Sequence, residues 1–197
     1  KIALHEPNFK NTNSLKYLSE CINKNWVSSG GEFVNEFEKK LCEFTGAKHA
    51  IAITNGTNAI RMALHILGVS LNDEVIMPPL SFVATANAVS HLGAFPHFVD
   101  IDSSTLGLCP IALEKHLNLI AEKKDNIVLN KLTGRRISAI LPVHIFGNPA
   151  KISSISTIAK YWNLPIVEDA AESLGSWRNK NGKFIHCGLF GDIGALS

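Results

Sequence analysis

The chain has 197 residues, 46% of them hydrophobic and 18% charged, enough for one substantial core and unlike any low-complexity or collagen-like composition. Its 19 Lys and Arg stand against 17 Asp and Glu, a formal balance of +2, which offers no electrostatic basis for a nucleic-acid partner or an acidic membrane surface. No apolar run reaches the roughly 18 residues of a membrane span and no basic-then-apolar leader opens the sequence, so the material reads as soluble. Cys21, Cys42, Cys109 and Cys187 form no CxxC unit and read as reduced thiols of a cytoplasmic protein.

After an extended start through Pro7, Leu15, Leu18 and Ile22 predict a short amphipathic helix within residues 13–25. Phe33, Phe37, Leu41 and Phe44 predict a second helix with a core-facing stripe, closed by Gly46. Residues 49–54 read as a buried strand of Ala and Ile, and Asn55-Gly56-Thr57-Asn58 turns the chain into a third helix carrying Ile60, Ala63, Leu64 and Leu67. Asn72-Asp73 marks a turn, residues 74–77 a strand, and Pro78-Pro79 its forced end. A helix of small residues follows from about Phe82 to Ser90. Pro96 opens a strand to Val99, and Pro110 suits the first turn of a helix through about Ala121.

Residues 122–136, rich in Lys and Arg, read as an exposed connection. Residues 137–141 predict the next strand, closed by Pro142, and Ile152, Ile155, Ala159 and Trp162 the core stripe of the helix after it. Residues 165–167 begin a further strand that stops at Glu168-Asp169. Pro96 and Pro165 fall at strand starts while Pro78 and Pro142 fall just past strand ends. The economical arrangement is therefore α/β, a mostly parallel sheet covered by helices, in one domain without internal repeats.

In such sheets ligands gather beyond the carboxyl ends of the strands. Four places there carry chemistry. At Asn55-Gly56-Thr57-Asn58 a helix begins with N–H groups that lack intrahelical acceptors; this either binds an anion or is an ordinary N-cap. It is neither a P-loop nor a dinucleotide fingerprint, so nucleotide-triphosphate and nicotinamide chemistry lose their motifs. Phe82 either fills the core or offers its face to a planar ligand. Glu168, Asp169 and Glu172 follow an apolar strand within five residues, costly unless at least one is paired, hydrated or set against a cation or protonated heterocycle; the other reading is a solvated strand end with a helix cap. His144 is either a group for ring stacking or proton transfer, or a hydrogen-bonded structural histidine. A phosphorylated, aromatic cofactor with a protonatable ring nitrogen would use the first three places together.

Those segments resemble the pyridoxal-phosphate-dependent sugar aminotransferases of the DegT/DnrJ/EryC1/StrS family. The likeness runs through Ser28-Ser29-Gly30 with Val34, Phe37 and Glu38; Asn55 to Ala59; Ser81-Phe82-Val83-Ala84-Thr85; Phe98-Val99-Asp100-Ile101-Asp102; Pro142-Val143-His144; Glu168-Asp169-Ala170-Ala171; and Gly191-Asp192 to Ser197. It implies the three-layer helix-sheet-helix large domain of the fold-type I aminotransferases and a homodimer with shared active sites. It implies that the Gly56-Thr57-Asn58 backbone and the Thr57 hydroxyl hold the phosphate of pyridoxal 5'-phosphate, helped by Ser197. Phe82 would stack on the pyridine ring, Asp169 would keep the ring nitrogen protonated, Glu172 would lie near the ring oxygen, and His144 is a candidate contact to ring or sugar.

The family's Schiff-base lysine follows the serine by a few residues and is expected beyond Ser197; no lysine present matches its motif. Lys1 in first position and the stop in mid-pattern at Ser197 predict a longer native chain. On that reading residues 1–197 are an N-terminal segment and most of the cofactor-binding domain, without the small C-terminal domain. Glu6-Pro7-Asn8-Phe9, Glu20-Cys21 and Trp26 to Gly31 resemble the branch that makes legionaminic-acid-type nonulosonate precursors. The implied reaction aminates C4 of a UDP-linked 4-keto-6-deoxy-N-acetylhexosamine with L-glutamate. Alternatives are the family's 3-dehydratase chemistry, with a histidine in the lysine position, and a non-catalytic cofactor-binding or interaction protein.

Overall fold

The computed structural model describes residues 8–28, 30–180 and 182–197. The extended start through Pro7 and Ser29 of the Ser28-Ser29-Gly30 motif lie outside the described residues. Two helices come first, α1 (Ser14–Asn23) and α2 (Glu32–Thr45). Gly46 closes α2 in the left-handed region, φ +80°, its N–H returning to the Cys42 carbonyl, as a C-terminal glycine does without a Cβ penalty. Helix α3 (Gly56–Ile66), strand β1 (Glu74–Met77), α4 (Val83–Ser90), β2 (Phe95–Phe98) and α5 (Pro110–Ile120) then alternate. Strands β3 (Ala121–Lys124), β4 (Ile127–Asn130) and β5 (Arg136–Ile140) precede α6 (Ile152–Trp162) and β6 (Val167–Asp169). A hairpin of β7 (Trp177–Lys180) and β8 (Lys183–His186) leads to β9 (Ile193–Ala195).

Strand β1 pairs in parallel with β2 on one side and β5 on the other, and β6 pairs in parallel with β9. Parallel bridges Ile140–Ile166 and Val143–Asp169 join β5 to β6, giving the spatial order β2, β1, β5, β6, β9. Side chains alternate across this sheet and divide the core in two. Val75, Met77, Ala139, Leu141, Val167 and Ala195 pack with Ile60, Leu64, Ala88 and Val89 of α3 and α4. Ile76, Ile140 and Ile166 pack on the opposite face with Leu113, Leu117, Ile155 and Trp162 of α5 and α6. Near-continuous burial of both strand faces is what a parallel sheet between two helix layers requires.

Three expectations change. Residues 49–54 form no strand: Ile51 and Ile53 are exposed, 78% and 44%, because no strand among the described residues lies alongside to accept their backbone. Only Ala52 N–H is taken up, by Glu38 Oε1 at 2.7 Å. Residues 122–136 are no simple connection; they fold back as the β3–β4 hairpin, and β4 adds to β5 antiparallel through Val128–Ile137 and Leu129–Arg136. Burial of Val128 and Asn130, alternating with the exposed Ile127 and the half-buried Leu129, anchors that strand, and charge content hides this period-two signal. The predicted stripe of α1 and α2 stays largely on the surface, with Leu15, Leu18, Ile22, Phe37 and Phe44 exposed. Tyr17 and Phe33, ring centroids 5.0 Å apart, hold the two helices together.

Candidate functional site

The described residues draw α3, α4, β6 and the segment after β9 to one end of the sheet. Asp169 ends β6 and is buried. Its Oδ2 accepts from the Thr85 hydroxyl at 2.7 Å and its Oδ1 from the Ala171 N–H at 3.2 Å. Thr85 accepts in turn from the Ser81 hydroxyl at 2.5 Å, so the acid is oriented by a two-hydroxyl relay. Burial pushes the Asp169 carboxyl above the usual aspartate range, and its Thr85 and Ala171 hydrogen bonds only partly offset this. A cation set against this acid would relieve that cost.

Phe82 is the N-cap residue of α4, one turn before Thr85, whose N–H returns to the Phe82 carbonyl at 3.1 Å. The Phe82 ring is 78% exposed, so of its two sequence readings the core-filling one fails. At α3 the Asn55 side chain caps the Asn58 N–H at 2.9 Å, and the Ala59 N–H returns to the Asn55 carbonyl. The Asn58 N–H therefore has a partner within the protein, and its side chain donates to Thr54 Oγ1. The N–H groups of Gly56 and Thr57 and the Thr57 hydroxyl have no acceptor among the described residues and stay available at the positive end of the helix.

Ser197 reaches the same place. Its N–H donates to the Ala171 carbonyl at 3.2 Å, and a Cβ built on Gly56 would lie 2.9 Å from Ser197 Cβ and 3.0 Å from Ser197 Oγ. Glycine at 56 is what lets the α3 start and Ser197 meet. A continuous chain of contacts thus runs from Gly56 through Ser197 and Ala171 to Asp169, Thr85 and Phe82. Two backbone donors, two hydroxyls, an exposed ring and a buried acid suit a phosphorylated heterocycle with a basic ring nitrogen, so the residues fit pyridoxal 5'-phosphate.

Two expected contacts already have partners within the protein. His144 is fully buried, its Nδ1 accepting from the Ala150 N–H at 3.1 Å and its Nε2 donating to Glu168 Oε2 at 2.9 Å. Both ring nitrogens have protein partners, and the His144 N–H donates to the Asp169 carbonyl at 3.0 Å, which holds the residue beside the end of β6. Glu172 Oε2 accepts the N–H of Phe146 at 2.9 Å, which occupies one oxygen of the acid expected near the ring oxygen. Phe146 lies in the left-handed region, φ +51°, and Gly147 follows at φ +74°, where a Cβ would sit 2.5 Å from the Glu172 carbonyl oxygen. The loop after β5 and the segment after β6 are thereby locked together.

Sequence reasoning gave Thr85 no role and left the partners of Glu168 unassigned. The three-residue step from Phe82 to Thr85 at a helix start was a usable signal for the first. The second had none: Glu168, wholly buried, accepts from His144 and from the N–H groups of Gly188 (3.0 Å), Phe190 (2.6 Å) and Gly191 (2.6 Å). Burial works to raise its pKa, but the His144 and backbone hydrogen bonds prevail and hold the carboxyl below the usual range. The three-carboxylate cluster is tolerated because each member has its own donors.

Comparison with known proteins gives this geometry a lineage. The profile of the DegT/DnrJ/EryC1/StrS aminotransferase family matches residues 9–197. GDP-perosamine synthase of Caulobacter vibrioides is 38% identical over 184 residues, 92% of this chain and 45% of its own. UDP-2-acetamido-2-deoxy-3-oxo-D-glucuronate aminotransferase of Pseudomonas aeruginosa is 37% identical over 84% of this chain and 45% of its own. A solved family aminotransferase from Brucella abortus superposes with a TM-score of 0.79 at 34% identity, covering 93% of this chain and 45% of its own. The chain spans about half the length of the curated relatives it matches. With its α/β sheet, helix layers and cofactor-type site, the chain belongs to the DegT/DnrJ/EryC1/StrS aminotransferase family.

Proposed function

We propose that the complete protein is a pyridoxal-phosphate-dependent aminotransferase acting on a nucleotide-linked keto sugar. The observation that carries the reading is the buried Asp169, oriented by Thr85 one helical turn from the exposed ring of Phe82. Gly56 and Thr57, with the Ser197 hydroxyl, bind the phosphate; Phe82 stacks on the pyridine face; Asp169 holds a proton on the ring nitrogen. When bound, the cofactor supplies a ring that draws off the electrons left at carbon when an amino acid loses its α proton. The lysine that moves that proton is assigned to the sequence after Ser197, as is the small domain. Support for this comes from relatives about twice as long.

The amino donor is L-glutamate, and the acceptor is a UDP-linked 4-keto-6-deoxy-N-acetylhexosamine, aminated at C4. Support for this finer reading is the N-terminal set Glu20-Cys21 and Trp26 to Gly31. The relatives named above carry GDP- and UDP-sugar names, so family membership alone leaves the nucleotide open. A homodimer with shared sites fits the uncovered stripe of α1 and α2. Cytoplasmic residence fits four cysteines that are all free thiols, and no helix among the described residues is long and apolar enough to cross a membrane.

The test is to express the complete reading frame, measure bound pyridoxal phosphate by its visible absorbance, and supply [15N]glutamate with the UDP-linked keto sugar or a GDP-linked counterpart. Mass spectrometry should find 15N in the sugar. A deoxygenated sugar without 15N would assign the dehydratase reaction instead, and absence of bound cofactor would leave only a binding or interaction role. In the same protein Gly56→Ala should weaken cofactor binding about tenfold, because its Cβ displaces Ser197 and misaligns two donors. Equilibrium dialysis checks this; unchanged affinity would remove the Gly56–Ser197 cradle from the site.

A further inference from the structure

At the opposite end of the sheet, where β1 begins, lies a second polar cluster unconnected with the site above. Glu74, the first residue of β1, is almost wholly buried. Its Oε1 accepts from the Thr133 hydroxyl at 2.7 Å, and its Oε2 accepts from Asn130 Nδ2 at 2.8 Å and His97 Nδ1 at 2.9 Å. Arg135 Nη1 stands 3.8 Å from Oε1. Glu74 is thus the acceptor of every side-chain hydrogen bond it makes among the described residues, and His97 presents its proton to it on Nδ1. Its Nε2 lone pair then points outward, 2.6 Å from Nε2 of His116 on α5.

We propose that His97 and His116 bind a divalent transition-metal ion, Zn2+ being the representative, with Glu74 as the carboxylate that orients His97. A buried carboxylate behind a histidine whose other nitrogen faces a second imidazole is the outer arrangement that metal-ligating histidines use. Imidazole pairs select Zn2+, Cu2+ or Ni2+ over Ca2+ and Mg2+, which take oxygen ligands. The metal replaces the single proton that the two nitrogens now share. Zinc–nitrogen bonds of about 2.0–2.1 Å at a tetrahedral angle need the nitrogens about 3.3 Å apart. The half-buried His116 ring must therefore swing outward by under about 1 Å, a rotamer adjustment and no backbone change.

Among the described residues no third side chain completes a ligand set, so water fills the remaining positions and the site is exchangeable. Bound metal would tie β2, the outer strand of the sheet among the described residues, to α5 and raise the melting temperature with metal concentration.

The test is calorimetric titration of the chain with ZnCl2 at neutral pH. One ion should bind per chain, His116→Ala should weaken it at least tenfold, Glu74→Gln about tenfold, and His91→Ala not at all. Side-chain 15N NMR provides a reading independent of variant folding: the imidazole signals of His97 and His116 should move together on adding Zn2+, ahead of the other histidines. Affinity unchanged in His116→Ala, no binding up to millimolar Zn2+, or imidazole shifts confined to other histidines would each overturn the proposal.

Discussion

Asp169→Asn in the complete protein should lower the transamination rate by about a thousand-fold, near 4 kcal/mol, while the fold persists. The buried carboxylate would lose its pairing with the protonated ring nitrogen, and truncating one partner of a buried charge pair costs about 2–5 kcal/mol. Thr85 can still donate to the amide oxygen, so the shape of the site survives. Steady-state kinetics at saturating cofactor check the figure, and a rate within tenfold of the parent would remove Asp169 from the proposed chemistry.

The same substitution should behave oppositely toward stability. Burial raises the pKa of Asp169 in the folded chain above its unfolded value, so the folded state binds more protons in the window from the ordinary aspartate value up to the raised one. The cofactor-free chain therefore loses stability as pH rises through that window. Asp169→Asn abolishes this dependence. Its melting temperature relative to the parent should climb as pH rises through the window, and parallel melting curves would contradict the burial argument. An acid that costs stability in the empty fold and is relieved by a cation is what a site retained for function looks like.

Glu168→Ala should cost about 3–5 kcal/mol of folding stability, the largest loss expected of any single acid here. It strands four donors at once, the buried His144 Nε2 and Gly188 N–H and the part-buried N–H groups of Phe190 and Gly191. The same loop leads into β9 and Ser197, so cofactor binding should weaken with it. Because the pKa of Glu168 is lowered by folding, its contribution is complete above the ordinary glutamate value and is lost as pH falls through the folded value. Chemical denaturation at neutral and acid pH checks both statements. A loss under about 1 kcal/mol at neutral pH would show that the loop does not depend on this carboxylate.

Much of the architecture was legible because its signals are local. Proline marks strand ends through φ and a missing N–H, as at Pro78 and Pro142; Gly46 and Pro110 announce helix termini; Ile155 and Trp162 repeat with the helical period. Candidate residues at the start of α3 and the end of β6 could be named for the same reason, since a helix start and a strand end are visible in a few neighbouring positions. What failed depended on a partner. Residues 49–54 have the composition of a strand and no neighbour to pair with among the described residues. Residues 122–136 look like a solvated connection, yet Val128 and Asn130 find places beside β5.

By itself, then, the sequence determined the six α-helices of the described residues, the mostly parallel sheet and the residue types gathered beyond its strand ends, because backbone geometry and hydrophobic period act over a few residues. Only the tertiary structure decided which partner each polar group takes. Thr85 lies 84 positions from the Asp169 it orients, and Glu168 turned from an unexplained charge into the anchor of the 188–191 loop. Such choices depend on desolvation, since a buried carboxylate tolerates no missing donor, and which donors arrive is set by packing between segments remote along the chain.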